Sequence, residues 1–160
     1  MKKTNAMRIL DDMGIPYEAN EYDESEIEGL GHGLSLALSQ KLGIDPECVF
    51  KTIVMRTDKN EIVVFCQCAQ YEINLKKARA ACGAKRVFPV KADELLELTG
   101  YVRGGCTPIG MKHKFRTFID ETVMLHEKVY VSAGTRTSQL ILAPQDLIKA
   151  TDAQLADLIL

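Results

Sequence analysis

The sequence offers three places where a side chain or bare backbone could hold a ligand. The first is Lys51, which lies in the apolar segment 49–55 (VFKTIVM) and shares its face with Val49 and Ile53. A lysine in such a strand must extend its ammonium out of the core, pair with an acceptor, or line a polar pocket. It could therefore guard the sheet against edge-to-edge pairing, or place a fixed positive charge beside a substrate carbonyl.

The second place is the segment 104–110 (GGCTPIG), in which three glycines and a proline fix an unusual backbone path. Such a loop can bring the backbone of Gly104 and Gly105 close to a ligand, or it can be a tight structural turn. Its glycine spacing imitates a phosphate-binding P-loop. However, no Gly-Lys-Ser/Thr follows, and Pro108 removes an amide that a phosphate cradle needs. We therefore expect no nucleoside triphosphate site here.

Cys106 within this loop could act as a nucleophile only if a base or a helix N-terminus activated it. His113 is close in sequence, but nothing in the sequence shows that it reaches the thiol. The five cysteines and three histidines show no metal-ligand spacing, so we expect no metal and no cofactor. The odd cysteine count without framework spacing indicates reduced thiols.

The third place is the segment 130–136 (YVSAGTR), where a strand pattern ends in small residues. This is either an ordinary strand end or a turn that exposes the hydroxyl of Ser132. In the second case the hydroxyl could fix a bound polar group.

Alternating strand and helix patterns position these three segments. We predict strands over residues 17–22, 49–57, 61–69, 86–90, 116–119, 128–132 and 139–142. We predict helices over residues 4–13, 35–42, 74–82, 92–98, 145–150 and 152–159, with a loop over 23–33. The pattern favours one mixed α/β (α+β) domain over residues 1–160, with a six- to seven-stranded mixed sheet curled into a partial barrel and surrounded by helices.

Composition and charge limit the classes of function. With 46% apolar and 26% charged residues, the 160-residue chain can bury a core, and it shows neither a membrane span nor a leader, so we expect a cytoplasmic protein. Residues 11–47 contain ten acidic residues and one basic residue, whereas 76–116 contain ten basic and three acidic residues. The basic segment could meet a phosphate backbone, or both segments could be ordinary solvated surface.

Three segments together resemble one family. Residues 49–53, 100–110 and 131–134, in this order and at these separations, resemble the YbaK/EbsC family of free-standing Cys-tRNA(Pro) deacylases and the related editing domain of some prolyl-tRNA synthetases. The resemblance implies a trans-editing enzyme that removes cysteine mischarged onto tRNA(Pro). It also implies that the substrate thiol attacks the ester and leaves as a thiolactone, without metal or cofactor, so that the activity can be classed as a hydrolase or a lyase.

The resemblance also assigns residues and partners. Lys51 matches the lysine that orients the substrate, and the predicted substrate-binding residues are Tyr22, Gly104, Gly105, Cys106, Thr107, Ser132 and Gln139. The partners it implies are the aminoacylated 3′ adenosine of the tRNA acceptor end and prolyl-tRNA synthetase. Gln139 departs from the family pattern, because relatives carry an aspartate there and a neutral amide cannot pair a charge. A deacylase for Ala- or Ser-tRNA, or a non-catalytic tRNA- or synthetase-binding module, therefore stays open as an alternative.

Overall fold

Two paired strands without an exposed residue lie at the centre of the protein. The computed structural model describes residues 2–27 and 34–160. Strands β2 (Phe50–Thr57) and β3 (Ile62–Cys68) pair antiparallel across a polar turn, as the hairpin prediction required. Every residue of β3 is buried, because other parts of the chain cover both faces of this sheet.

The strands divide between two sheets. The other strands are β1 (Glu18–Glu21), β4 (Val87–Pro89), β5 (Arg116–Asp120), β6 (Val129–Ser132), β7 (Ser138–Leu142) and β8 (Gln154–Ala156). The larger sheet has the order β4-β2-β3-β5-β8 and the smaller has the order β1-β7-β6. The pairs β3–β5 and β5–β8 are parallel and the other pairs are antiparallel, which confirms the predicted mixed fold class. In the part of the chain that the structure describes, the strands form two sheets rather than one, and these do not close into a barrel.

The helices are short. They are α1 (Asn5–Asp12), α2 (Glu24–Ile27), α3 (Leu34–Lys41), α4 (Leu75–Cys82), α5 (Ala92–Thr99) and α6 (Pro144–Thr151). Helix α4 shows the predicted start and stop signals: the Asn74 side chain accepts a hydrogen bond from the Lys77 amide, and Gly83 ends the helix at φ 72°. Within the described ranges, no helix has the length and apolar character needed to span a membrane.

The acidic segment that was predicted to be a loop over 23–33 contains helix α2. Its first turn holds Glu24 and Glu26, and carboxylates near a helix N-terminus stabilise it through the helix dipole. The rest of that predicted loop, residues 28–33, lies outside the described residues.

The largest apolar cluster joins the two sheets. It contains residues of both sheets together with residues of α1 and α6, among them Leu10, Phe50, Cys66, Val131, Leu140 and Leu147. A second cluster packs α4 on the opposite face of the larger sheet, through Met55, Phe65, Ala78, Phe118 and Leu158. The larger sheet is therefore covered on both faces.

The helix predicted over residues 152–159 is wrong. Helix α6 ends at Thr151, Asp152 takes a left-handed conformation at φ 53°, and the chain continues into strand β8. Strand β8 pairs parallel with β5, with Leu155 opposite Ile119. This pairing partner is distant in sequence, so local helical spacing did not reveal it.

Asp120 is a fully buried carboxylate that ties β5 to the C-terminal segment. Its Oδ1 accepts a hydrogen bond from the Leu158 amide at 2.8 Å. Its Oδ2 accepts from the amide of Thr122 at 3.1 Å and from the Thr122 hydroxyl at 2.5 Å. The buried carboxyl group thus accepts from three donors, and removing it would leave those donors without this partner.

We predict that Asp120→Ala lowers the free energy of unfolding by about 3 kcal/mol, because three donors at a buried position lose their shared acceptor and carry a large desolvation cost. Urea denaturation measures this change. The control is Asp157→Ala, which removes an exposed carboxylate paired with Lys77 and should cost less than about 1 kcal/mol. Equal losses in the two variants would contradict the role given to Asp120.

Candidate functional site

The two sheets meet where β2 begins and β6 ends. Val49, just before β2, forms a parallel bridge with Tyr130 of β6. The bridge is isolated, so the two strands do not continue as a ladder, but Lys51 and Ser132 each lie two residues beyond it and so project from the same side of their strands as the bridged residues. The intervening residues Phe50 and Val131 point the other way, and both lie in the shared core.

A row of polar residues crosses both sheets at this level. Lys51 is opposite Gln67 in the β2–β3 pair, Ser132 is opposite Gln139 in the β6–β7 pair, and Gln139 is opposite Asn20 in the β1–β7 pair. We call these five residues the polar row. Since partners in register share a face, the row presents an ammonium, a hydroxyl and three amides on one side of the two sheets.

Lys51 is half-buried. Among the described residues, its ammonium makes no hydrogen bond and no ion pair, although it lies in the middle of the polar row. The role predicted for Lys51 at a substrate pocket stays a prediction. An ammonium in this position has its three donors available to a bound molecule.

A small recess lies over the smaller sheet, at the end of β6. Within the described chain, its walls are Tyr22, Leu38, Gly104, Ser132, Arg136, Ser138 and Gln139. Four of these residues are predicted site residues that come from four separate segments. Lys51 is the neighbour of Ser132 in the polar row rather than a wall of the recess itself.

Gly105 lets the glycine loop touch the turn between β6 and β7. A Cβ atom at this position would lie 2.8 Å from the backbone carbon of Thr135 and 2.9 Å from the backbone nitrogen of Arg136. Real Cβ atoms do not approach backbone this closely, so only glycine allows the two segments to pack together. The amide of Gly105 donates to the Val102 carbonyl at 3.0 Å, which closes the loop on itself and leaves that amide unavailable to a ligand.

Ser132 connects the loop to the turn through its hydroxyl. The Ser132 Oγ donates to the Gly105 carbonyl at 3.0 Å and accepts from the Gly134 amide at 3.1 Å. Its proton is therefore held by the glycine loop, which fixes the wall of the recess. Ser132 is a wall of the recess, and its two hydrogen bonds join that wall to the glycine loop.

Tyr22 and Gln139 form the opposite wall. The Tyr22 hydroxyl donates to Oε1 of Gln139 at 2.8 Å, and burial raises the pKa of the Tyr22 phenol. Gln139 is 5% exposed. Both groups are neutral at physiological pH, so this wall offers hydrogen bonds without a charge.

The structure does not bring Cys106 and Thr107 into the recess. Cys106 packs beside the apolar cluster of Val54, Val64 and Leu95, and Thr107 is fully buried. Burial raises the pKa of the Cys106 thiol to about 12. Cys106 is therefore protonated near neutral pH, a state in which it is a poor nucleophile. Across ranges 2–27 and 34–160, no three His, Cys, Asp or Glu side chains are grouped to hold a metal ion.

Sequence reasoning missed three walls of the recess, namely Leu38, Arg136 and Ser138. Arg136 ends the segment 130–136 that the sequence analysis singled out for Ser132. Three residues separate the two along the chain, and a turn after a strand was the available signal that both could face one site. Leu38 and Ser138 could not be predicted as site residues, because they fit ordinary apolar and strand patterns.

The comparisons with known proteins decide the family. The model of the aminoacyl-tRNA editing domain matches residues 35–150 of this chain. The chain belongs to that family. The matched range includes Lys51, the glycine loop and the turn that carries Ser132 and Arg136, whereas Tyr22 lies before it.

Relatives of this editing domain include a free-standing protein and a synthetase. EbsC of Enterococcus faecalis, to which deacylation of Cys-tRNA(Pro) and Cys-tRNA(Cys) is assigned, is 37% identical over 157 residues, which are 98% of this chain and 93% of EbsC. A proline–tRNA ligase of Lactobacillus gasseri is 32% identical over 97 residues, which are 61% of this chain and 17% of the ligase. A crystal structure assigned as a trans-editing enzyme for prolyl-tRNA synthetase has the same fold, with a TM-score of 0.84 at 23% identity over 100% of this chain and 99% of that one.

We predict that Cys106 of the editing domain reacts with iodoacetamide at pH 8 roughly a thousandfold more slowly than a free cysteine, because a pKa near 12 leaves little thiolate. Mass spectrometry of the peptide that contains Cys106 measures the labelling rate. The same protein in urea provides the control, since unfolding restores ordinary reactivity. Labelling of the folded protein at the free-cysteine rate would show that this thiol is activated.

Proposed function

We propose that this chain is a trans-editing deacylase that releases cysteine from mischarged Cys-tRNA(Pro). The observation that carries the proposal is the recess walled by Tyr22, Gly104, Ser132 and Gln139 in an editing-domain chain, together with the bridge between Val49 and Tyr130 that brings the strands of Lys51 and Ser132 together. The near full-length similarity to EbsC supports cysteine as the amino acid that is removed. Aminoacyl-tRNA is made in the cytoplasm, and we propose that the chain acts there.

The proposed reaction uses the thiol of the substrate as the nucleophile. The thiol sulfur attacks the ester carbonyl carbon, a C–S bond forms, and the C–O bond to the ribose breaks. The thiol proton ends on the ribose oxygen, so that the products are a cyclic thiolactone and tRNA with a free 3′ end. Because Cys106 is protonated and lies outside the recess, a route that needs no protein nucleophile agrees with the geometry.

Lys51 stabilises the charge that develops in this reaction. As the thiol attacks, negative charge grows first on the carbonyl oxygen and then on the leaving ribose oxygen. An ammonium without a competing acceptor in the described part of the chain can donate to either oxygen. The Gly105 amide already donates to the Val102 carbonyl, so it is not available to the carbonyl oxygen of the substrate. The glycine loop therefore contributes to the shape of the recess and supplies no hydrogen-bond donor from Gly105.

The proposed partners are the tRNA acceptor end and prolyl-tRNA synthetase. The basic residues of segment 76–116 offer phosphate contacts that are independent of sequence. Such contacts do not distinguish one tRNA from another. We therefore propose that a bound synthetase supplies the selection of tRNA(Pro), and the similarity to proline–tRNA ligases supports this relationship.

A deacylation panel tests the substrate. The purified chain is incubated with Cys-tRNA(Pro), Cys-tRNA(Cys), Ala-tRNA(Pro) and Ser-charged tRNA, each with and without prolyl-tRNA synthetase. We expect release of cysteine at a rate at least about a hundredfold above that of alanine or serine, since a hydroxyl or a methyl group cannot replace the thiol nucleophile. Preferred release of alanine or serine would transfer the proposal to another substrate, and tRNA binding without any hydrolysis would indicate a non-catalytic module.

The same panel tests the route when it includes S-methyl-cysteinyl-tRNA(Pro). Methylation keeps the size of the side chain close to that of cysteine but removes the thiol that closes the ring. We expect no release above the spontaneous rate, and trapping of the thiolactone with a soluble amine from the unmodified substrate. Cleavage of the methylated ester at the normal rate would contradict the substrate-assisted route.

We predict that Lys51→Met lowers kcat for Cys-tRNA(Pro) by roughly a hundred- to a thousandfold, because one fixed donor to a developing oxyanion contributes on the order of 3 kcal/mol. Methionine keeps an unbranched apolar side chain, so the strand should keep its packing. Single-turnover deacylation measures the rate, and thermal unfolding checks that the fold is retained.

Lys59→Met is the matched control for this variant. Lys59 lies exposed in the turn between β2 and β3, at the opposite end of the hairpin from Lys51. Loss of its charge should leave kcat within about twofold of the unmodified protein. If Lys51→Met turned over as fast as Lys59→Met, Lys51 would have no part in the reaction.

A further inference from the structure

Arg136 is an arginine of the recess that has no partner among the described residues. Arg136 is exposed in the turn between β6 and β7, and it is one of the walls of the recess. Over residues 2–27 and 34–160, its guanidinium takes part in no hydrogen bond or ion pair. Arginines near carboxylates usually pair with them, so an unpaired guanidinium beside a site is available to an incoming anion.

The glycine loop fixes where this arginine lies. A Cβ at Gly104 would be 3.3 Å from Nε of Arg136 and 3.4 Å from its Cγ, so the arginine side chain lies flat against the bare backbone of Gly104. The backbone of Arg136 is held next to Gly105 by the close approach described above. The side chain therefore starts from an anchored position, and ordering it on a ligand costs less conformational entropy than ordering a free arginine.

The surroundings leave the positive charge uncompensated. Among its described walls the recess has no carboxylate, since Gln139 is neutral and Tyr22 stays protonated. Lys51 adds a second cation beside the recess. Any group that binds next to Arg136 is therefore selected for negative charge.

The chemistry of the proposed substrate identifies that group. The ester and the ribose of an aminoacylated adenosine are neutral, and its α-amino group is a cation that Arg136 would repel. The anions of a tRNA 3′ end are its phosphodiesters. A guanidinium binds a phosphate with two parallel N–H···O bonds, which gives orientation as well as affinity.

We propose that Arg136 binds the phosphodiester that joins the terminal adenosine to the nucleotide before it. This inference rests on the proposed function, because it uses the tRNA 3′ end as the ligand. By binding that phosphate, Arg136 would set the distance between the aminoacyl ester and Lys51. Arg136 is thus a substrate-binding residue that orients the aminoacylated 3′ end.

The test separates phosphate binding from deacylation by using uncharged ligands. Dissociation constants of the dinucleotide CpA and of adenosine are measured by NMR titration for the unmodified protein and for Arg136→Ala. We expect the unmodified protein to prefer CpA over adenosine by roughly 10- to 100-fold, as is typical of a charge-assisted pair. Arg136→Ala should remove this preference and leave adenosine binding within about twofold, while Arg136→Lys should restore part of it and salt should weaken it.

Arg8→Ala is the matched control, because Arg8 is an exposed arginine on α1 that is not a wall of the recess. It should keep the full preference for CpA. A preference that survives in Arg136→Ala, or that is lost equally in Arg8→Ala, would overturn the inference. If Arg136 carries the CpA preference but the unmodified protein fails the deacylation panel, the proposed function falls and the phosphate site stands.

Discussion

The parallel contact between the start of β2 and β6 is the constraint on which the site depends. It is the place where two separate sheets are joined by a single bridge between Val49 and Tyr130. The residues that follow on each strand point alternately to the shared core and to the polar row. The core-facing residues of one strand must therefore lie level with the core-facing residues of the other. A slip of one residue would turn Lys51 into the core and Phe50 into solvent, and burial of Phe50 and Val131 opposes such a slip.

The polar row is stabilised mostly by hydrogen bonds to backbone and to its own neighbours. Ser132 bonds the glycine loop, and Gln139 accepts from Tyr22. Gln67, which is fully buried, donates to the Tyr71 carbonyl at 2.7 Å, but its Oε1 has no partner in the part of the chain described. An unsatisfied buried carbonyl costs about 1–3 kcal/mol, and here it lies directly opposite Lys51 in the β2–β3 pair. Among residues 2–27 and 34–160, Lys51 therefore has no acceptor and the Oε1 of Gln67 has no donor, a local cost that the surrounding apolar clusters must offset.

The local features of this fold could be predicted from the sequence, whereas the pairings between residues distant in sequence could not. The β2–β3 hairpin was predictable because two apolar runs flank a polar turn, and α4 because Asn74 and Gly83 mark its ends. Strand β8 was not, because its pairing partner β5 is remote in sequence. The resemblance to known editing proteins pointed to Lys51 and Ser132, but their adjacency is set by the register between two sheets. Arg136 was missed for the same reason, since its position follows from Gly104, which belongs to a different segment.

Compared with the aspartate that the family pattern has at this position, Gln139 changes the charge of the recess more than its shape. A carboxylate at this position would face Arg136 across the same recess and would attract its guanidinium away from an incoming phosphate. It would also attract the α-amino group of a substrate, which a neutral amide can bind only as a hydrogen-bond acceptor. In this chain the Oε1 of Gln139 accepts a hydrogen bond from the Tyr22 hydroxyl. The neutral amide therefore lines the recess without pairing with the charge of Arg136. In the proposed complex, Lys51 and Arg136 would together make the charge beside the ester positive, and that sign would favour both the phosphate of the nucleic acid and the negative charge that forms as the ester bond breaks.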